Sequence, residues 1–172
     1  MLITLQVRNQ SKHEVRIINI RVVRLKSGHV YRGTFVSLAP QGVEETRQLV
    51  FNMDKPVPFA EDRQTGKGFF DEKVITLNPD EEETFKLWAV ETKGSNWYKL
   101  ALDYRTEGRD GTTMIDDNGY PFALSAFACV GPKKASYVNV YEMGSGPLGY
   151  TLYQKPGISN YEVLRVYCPK AN

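Results

Sequence analysis

The run LITLQV places Ile3, Leu5 and Val7 on one face and Thr4, Gln6 and Arg8 on the other. That two-residue period predicts a half-buried strand. NQSKH is a turn cluster, and EVRIINIRVVRLK after it is rich in Val and Ile. Its apolar positions change parity near Asn19, which predicts a bulge or a strand buried on both faces. Ser27-Gly28 turns the chain into VYRGTFVSL, a third strand, and RQLVFNM reads as a fourth after the loop APQGVEE. DKPVPFAEDRQTGKG is irregular. Pro56 and Pro58 cannot donate to a ladder, so this stretch is expected to run along an edge at most.

A strand ends at Leu77, Asn78-Pro79 turns, and a strand resumes near Thr84 with Phe85, Leu87 and Ala89 on one face. The acids Asp80 to Glu83 read as the solvated tip between these strands. In WYKLALDYR, Tyr98, Leu100, Leu102 and Tyr104 alternate. Before residue 125 no segment keeps a helical period over three turns. Eight short strands with turn signals about every ten residues predict an all-β fold, an immunoglobulin-like β-sandwich over 1–125. Tyr98, two residues before Leu100, stands where such domains carry a tyrosine corner.

Residues 126–172 are expected to form a Tyr-rich β appendage packed on the sandwich. Six of the ten tyrosines lie there: Tyr137, Tyr141, Tyr150, Tyr153, Tyr161 and Tyr167. SYVNVYEM and YTLYQK read as strands around the Gly-rich turn 144–149. YEVLRVYC alternates like a strand, although Ser159 and Glu162 have capping-box spacing. Tyr137, Tyr141, Tyr150 and Tyr153 are the expected contact surface, since tyrosine offers amphipathic area at low entropic cost.

The densest run of turn and acidic residues is YRTEGRDGTTMIDDNGYPF, 104–122. Asp110-Gly111 is a hairpin signal, so RDG is expected as the turn between the last two sandwich strands. Asp116, Asp117 and Asn118 are consecutive rather than alternating as a calcium loop requires. No metal is expected there.

The stretch 97–122 resembles the C-terminal region of a group of uncharacterised actinobacterial proteins. The matching residues are Asp103, Tyr104, Gly108, Arg109, Gly111, Thr112, Ile115, Asp116, Asp117, Gly119, Pro121 and Phe122. The resemblance is specific over 97–122, loose over 1–96 and absent after about 126. Many members of the group look membrane-anchored with this β-domain outside. The resemblance therefore implies an extracytoplasmic β-sandwich and adds no chemistry. Ser95 and Asn96 stand where members often carry cysteines.

A chain of 172 residues buries roughly two-thirds of its unfolded surface and needs no metal or disulfide cage to fold. No run of eighteen consecutive apolar residues occurs, so no direct membrane insertion by this segment is expected. LITLQVRNQ lacks the basic start and long apolar core of a secretory leader. Either the protein is cytosolic or the chain is part of a longer one; opening on a strand favours the longer chain, which the resemblance implies is membrane-anchored.

The net charge of +2 hides a gradient. Lys and Arg outnumber Asp and Glu by 9 to 4 over 1–60, are outnumbered 8 to 14 over 61–120, and lead 5 to 2 beyond. The basic residues are spread along strands without interleaved aromatics, which argues against nucleic acid. Cys129 and Cys168 sit in no CxxC and, with only two His, suit no zinc site. A disulfide between them is expected; closing a loop of about 39 residues would contribute about 4 kcal/mol, and it implies an oxidising compartment.

His13 and His29 fall at a turn and a strand start, and no G-x-S-x-G, P-loop or GxGxxG occurs. The expected function is a non-catalytic extracytoplasmic module for protein interaction, sensing or spacing, with no cofactor. The alternative is a carbohydrate-binding module using exposed Tyr and Trp, so the partner is an unidentified protein or glycan.

Overall fold

The structure, a computed structural model, describes residues 1–37, 47–127, 129–131, 134–137, 139–146, 149–154 and 160–162. The chain begins with β1 (Leu2–Arg8), β2 (Val15–Gly28), β3 (Thr34–Ser37), β4 (Arg47–Asn52) and β5 (Glu61–Asp62). A single helical turn, α1 (Phe69–Glu72), precedes β6 (Ile75–Leu77), β7 (Glu82–Val90), β8 (Ser95–Thr106) and β9 (Arg109–Ile115). Then come β10 (Phe122–Ser125), β11 (Cys129–Gly131), β12 (Lys134–Ser136), β13 (Asn139–Gly146), β14 (Gly149–Gln154) and β15 (Asn160–Glu162). The fold is all-β with almost no helix.

The chain divides into two compact units, Met1–Gly28 with Glu45–Leu124, and His29–Glu44 with Ser125–Asn172. The expected boundary near residue 125 therefore has to be corrected at one place. Residues 29–44, expected inside a sandwich spanning 1–125, belong with the second unit. The reason is pairing: β3 lies parallel to β13, Thr34 opposite Asn139 through Ser37 opposite Glu142.

The first unit holds two sheets, ordered β1-β7-β4-β5 and β10-β8-β2-β6, with β9 also paired to β8. Their apolar faces meet in one core. Leu49, Phe51, Phe85, Leu87 and Ala89 come from the first sheet, and Ile17, Ile20, Ile75, Leu77, Tyr98, Leu100 and Leu102 from the second. The alternation in β7 and β8 follows from the pleat: Phe85, Leu87 and Ala89 point in, while Thr84, Lys86 and Trp88 point out. The parity change in β2 is a bulge. The register against β8 slips between Ile17 and Asn19, so Ile17 and Ile20, three apart, are both buried. A second slip between Arg24 and Lys26 turns Leu25 out to solvent.

Two polar anchors hold the ends of the strands. Asn9 is 4% exposed, and its amide donates to the carbonyls of His13 (2.8 Å) and Leu77 (3.0 Å). Its side-chain oxygen accepts from the Ser11 backbone N–H and hydroxyl. Asn9 thereby ties the β1–β2 turn to the end of β6. Arg24 crosses from the second sheet and donates to the carbonyls of Met53, Lys55 and Pro56 at 2.7, 3.1 and 3.3 Å. The loop after β4 is thus held by the guanidinium fork rather than by ladder bonds, as its two prolines demand.

The hairpin β8–β9 corrects the expected turn. The pairing runs from Leu100 opposite Ile115 to Thr106 opposite Arg109. The two-residue loop is Glu107-Gly108, and Asp110-Gly111 lies within β9. Glu107 (φ 48°) and Gly108 (φ 76°) supply the two left-handed positions that a type I′ turn needs. Gly111 is there for a different reason. It sits opposite Tyr104, and a Cβ on it would lie 2.5 Å from the ring. Tyr98 is 1% exposed, but its hydroxyl has no hydrogen-bond partner among the described residues. The tyrosine-corner bond expected of it is therefore missing, and burial pushes the phenol pKa up.

The second unit contains two small sheets, β14-β13-β3 and β11-β12-β15. β13 and β14 form an antiparallel hairpin from Tyr141 opposite Gln154 to Gly146 opposite Gly149. The two strands expected around the Gly-rich turn are therefore present, and they run further into it than expected. Tyr141 lies in β13, and Tyr150 and Tyr153 in β14; the register puts Tyr141 and Tyr150 at positions of one face and Tyr153 at a position of the other. Tyr137 precedes the hairpin. Cys129 opens β11, while Cys168 and the expected disulfide lie outside the described residues.

Candidate binding groove

The first unit carries a groove of 840 Å³ lined by Arg47, Gln48, Asp62, Arg63, Gln64, Phe69, Lys73, Glu82, Glu83 and Thr84. Three stretches build it. β4 supplies Arg47 and Gln48, and the start of β7 supplies Glu82 to Thr84. Asp62 at the end of β5, the loop after it, α1 and the adjoining Lys73 supply the rest. That loop is shaped by Asp62, whose carboxylate accepts from the N–H groups of Gln64 (2.9 Å) and Thr65 (3.1 Å). Its carbonyl accepts from Gly66, which adopts φ 70°. The Thr65 N–H, the Lys73 ammonium and the Gln64 N–H hold the Asp62 carboxyl below its usual range.

The lining cations are not equivalent. Arg47 pairs with Glu83 at 2.9 Å, and Lys73 pairs with Asp62 at 3.2 Å while standing 4.8 Å over the Phe69 ring. Arg63 has no carboxylate partner among the described residues. Its guanidinium stacks over Trp88 at 4.7 Å, and it donates to the Gln48 side-chain oxygen. Its backbone N–H is fastened to the Gln48 carbonyl at 3.2 Å. An arginine set over an indole and steered by an amide is a pre-organised fork for an anion.

The described lining residues all fall within 47–84; the four expected contact tyrosines and Cys129 belong to the second unit, and Cys168 lies outside the described residues. Of the lining residues, Asp62, Arg63 and Gln64 were hidden in the stretch read as an irregular loop. Asp62 and Gly66 are a turn signal there, but no local pattern ties Arg63 to Gln48 or Trp88. The two tryptophans do not form a platform. Trp88 points outward from the first sheet and Trp97 outward from the second, with Lys26 5.3 Å over the Trp97 ring. The acids of 103–117 have local partners as well: Asp103 with Arg21 (2.8 Å), Asp110 with Arg105 (2.6 Å) and Asp116 with Lys99 (2.6 Å). The acidic tip likewise pairs with Arg8 and Arg47 on neighbouring strands. No group of three or more His, Cys, Asp or Glu that could hold a metal occurs among the described residues. No described helix is long and apolar enough to cross a membrane. No family model, curated protein or solved structure matches the chain.

Proposed function

We propose that the first unit is an immunoglobulin-like binding module that holds a polypeptide segment presenting a carboxylate. The observation that carries this reading is Arg63, set over Trp88 and without a carboxylate partner among the described residues, while Arg47 and Lys73 of the same groove are paired. The fold part is supported by connectivity. β1 pairs with β7 and β2 with β8, so both the first and the later pair of consecutive strands cross between the sheets. That is the central pairing of a Greek-key sandwich. The mixed lining suits an extended backbone, and Arg63 selects for a single negative charge.

The test is titration of the full chain with paired pentapeptides that differ only by Glu or Gln at the centre. The Glu peptide should bind about tenfold more tightly, and Arg63→Lys should remove that preference because the planar fork is lost. Equal binding of the two peptides would discard the proposal. Placement outside the cytoplasm is supported by the cysteine pair and by the resemblance over 97–122. Intact mass with alkylation under non-reducing conditions should show no alkylated thiol; two alkylated thiols would move the module to a reducing compartment.

A further inference from the structure

Among the described residues no strand pairs with the outer edge of β1. β1 stands at the end of the order β1-β7-β4-β5 and pairs with β7 alone. The phase of that pairing is set at its ends. Met1 and Ala89 exchange bonds of 2.8 and 2.9 Å, and the Asn9 N–H donates to the Glu81 carbonyl at 2.9 Å. In an antiparallel ladder the bonded positions alternate, so Met1, Ile3, Leu5, Val7 and Asn9 face β7. The N–H and C=O groups of Leu2, Thr4, Gln6 and Arg8 therefore face away from it. No described element pairs with them.

Natural sheets blunt such edges with proline, lysine, bulges or inward charges. β1 has none of these; its register is unbroken from Leu2 to Arg8, and its inward side chains Ile3, Leu5 and Val7 are apolar. They pack on the core yet stay half-buried, and no described strand lies along their outer flank.

We propose that β1 pairs with β1 of a second copy of this chain, antiparallel about a two-fold axis through Leu5. The pattern of the strand is self-complementary in this register. Residue i faces residue 10 − i, so Leu2 meets Arg8 and Thr4 meets Gln6 of the partner. All four open positions then become bonded pairs at once, and Leu5, on the axis, falls in a non-bonded pair as the alternation requires. On the inner face Ile3 meets Val7 and Leu5 meets Leu5, so the apolar row continues from one copy into the next. On the outer face no like charges are opposed. The two four-stranded sheets become one of eight strands, with an isologous interface. The pairing is independent of the Arg63 groove.

Light scattering of the full chain across a concentration series should report twice the monomer mass. Thr4→Pro removes an N–H that faces the open side and leaves the bonds to β7 intact. It should raise the dimer Kd about 100-fold, in line with the hydrogen bonds lost in both copies. A second test avoids backbone change. Thr4 and Gln6 are exposed, so Thr4→Cys and Gln6→Cys keep the fold. Mixed and oxidised, the two variants should cross-link about tenfold faster than either alone, since only the mixture places the thiols opposite each other. A monomer at all concentrations, a dimer that survives Thr4→Pro, or no advantage for the mixed cysteines would overturn the proposal.

Discussion

In the hairpin β8–β9 and its exit turn, Asp103, Asp110 and Asp116 each face a cation across a strand. Asp54 and Glu91, by contrast, face each other. Thr92 donates to Asp54 through its N–H (3.1 Å) and its hydroxyl, while the Gly94 N–H (3.0 Å) and the Asn96 amide donate to Glu91. The first arrangement favours charge on every carboxyl. Asp103 stays below the usual range because the bonds from Arg21 and Thr112 outweigh its desolvation. Arg105 does the same for Asp110, and Lys99 with the Gly119 N–H for Asp116. In the second arrangement, burial and the Asp54 carboxylate push Glu91 up, and Asp54 itself is held down mainly by the Thr92 bonds against desolvation. A dense acidic run is thus electrostatically quiet, while two acids 37 positions apart in the chain form the strained contact.

The comparison breaks most visibly at Gly111. Adding a methyl there drives Tyr104 from its packing against the core, and Gly111→Ala should destabilise the chain by about 2 kcal/mol. In a Tyr104→Ala background the same change should cost less than about 0.5 kcal/mol, because the obstacle is gone. Urea unfolding of the four proteins measures the coupling. Full additivity would mean that Gly111 serves the backbone and not the ring.

A smaller effect, with opposite signs in the two regions, should appear in the pH dependence of stability. The hairpin aspartates have lowered values in the fold, so they stabilise above their ordinary pKa near 3.8 and lose that contribution as pH falls through the folded value. Glu91 has a raised value, so its contribution is full below its ordinary pKa near 4.5 and is lost as pH rises through the folded value. Asp103→Asn should therefore flatten the acid limb of a urea-midpoint profile and leave the neutral limb unchanged. Glu91→Gln should flatten the decline on the neutral side alone. If both variants altered the same limb, the two regions would not differ as described.

Much of the first unit was legible in the chain. The alternation in 2–8, 84–90 and 97–105 located β1, β7 and β8, because a half-buried strand exposes its period directly. The parity change at Asn19 announced the bulge in β2 for the same reason. The hairpin turn was placed three residues late. Asp110-Gly111 and Glu107-Gly108 both offer a glycine, and only the ring of Tyr104 across the pair says which one serves the turn. The groove was not legible at all. Arg63 acquires its meaning from Gln48 and Trp88, which belong to two other strands.

The sequence by itself determined the all-β class, the strands with one apolar face and the acidic tip between β6 and β7, since each depends on local periodicity and turn chemistry. The tertiary structure alone decided that residues 29–44 join the second unit through a parallel pairing with β13. It also decided which acids meet cations and which meet each other, and that Arg63 lies over Trp88 beside Gln48. Those outcomes depend on groups brought together from distant positions, and charge and hydrogen-bond partners carry no period along the chain.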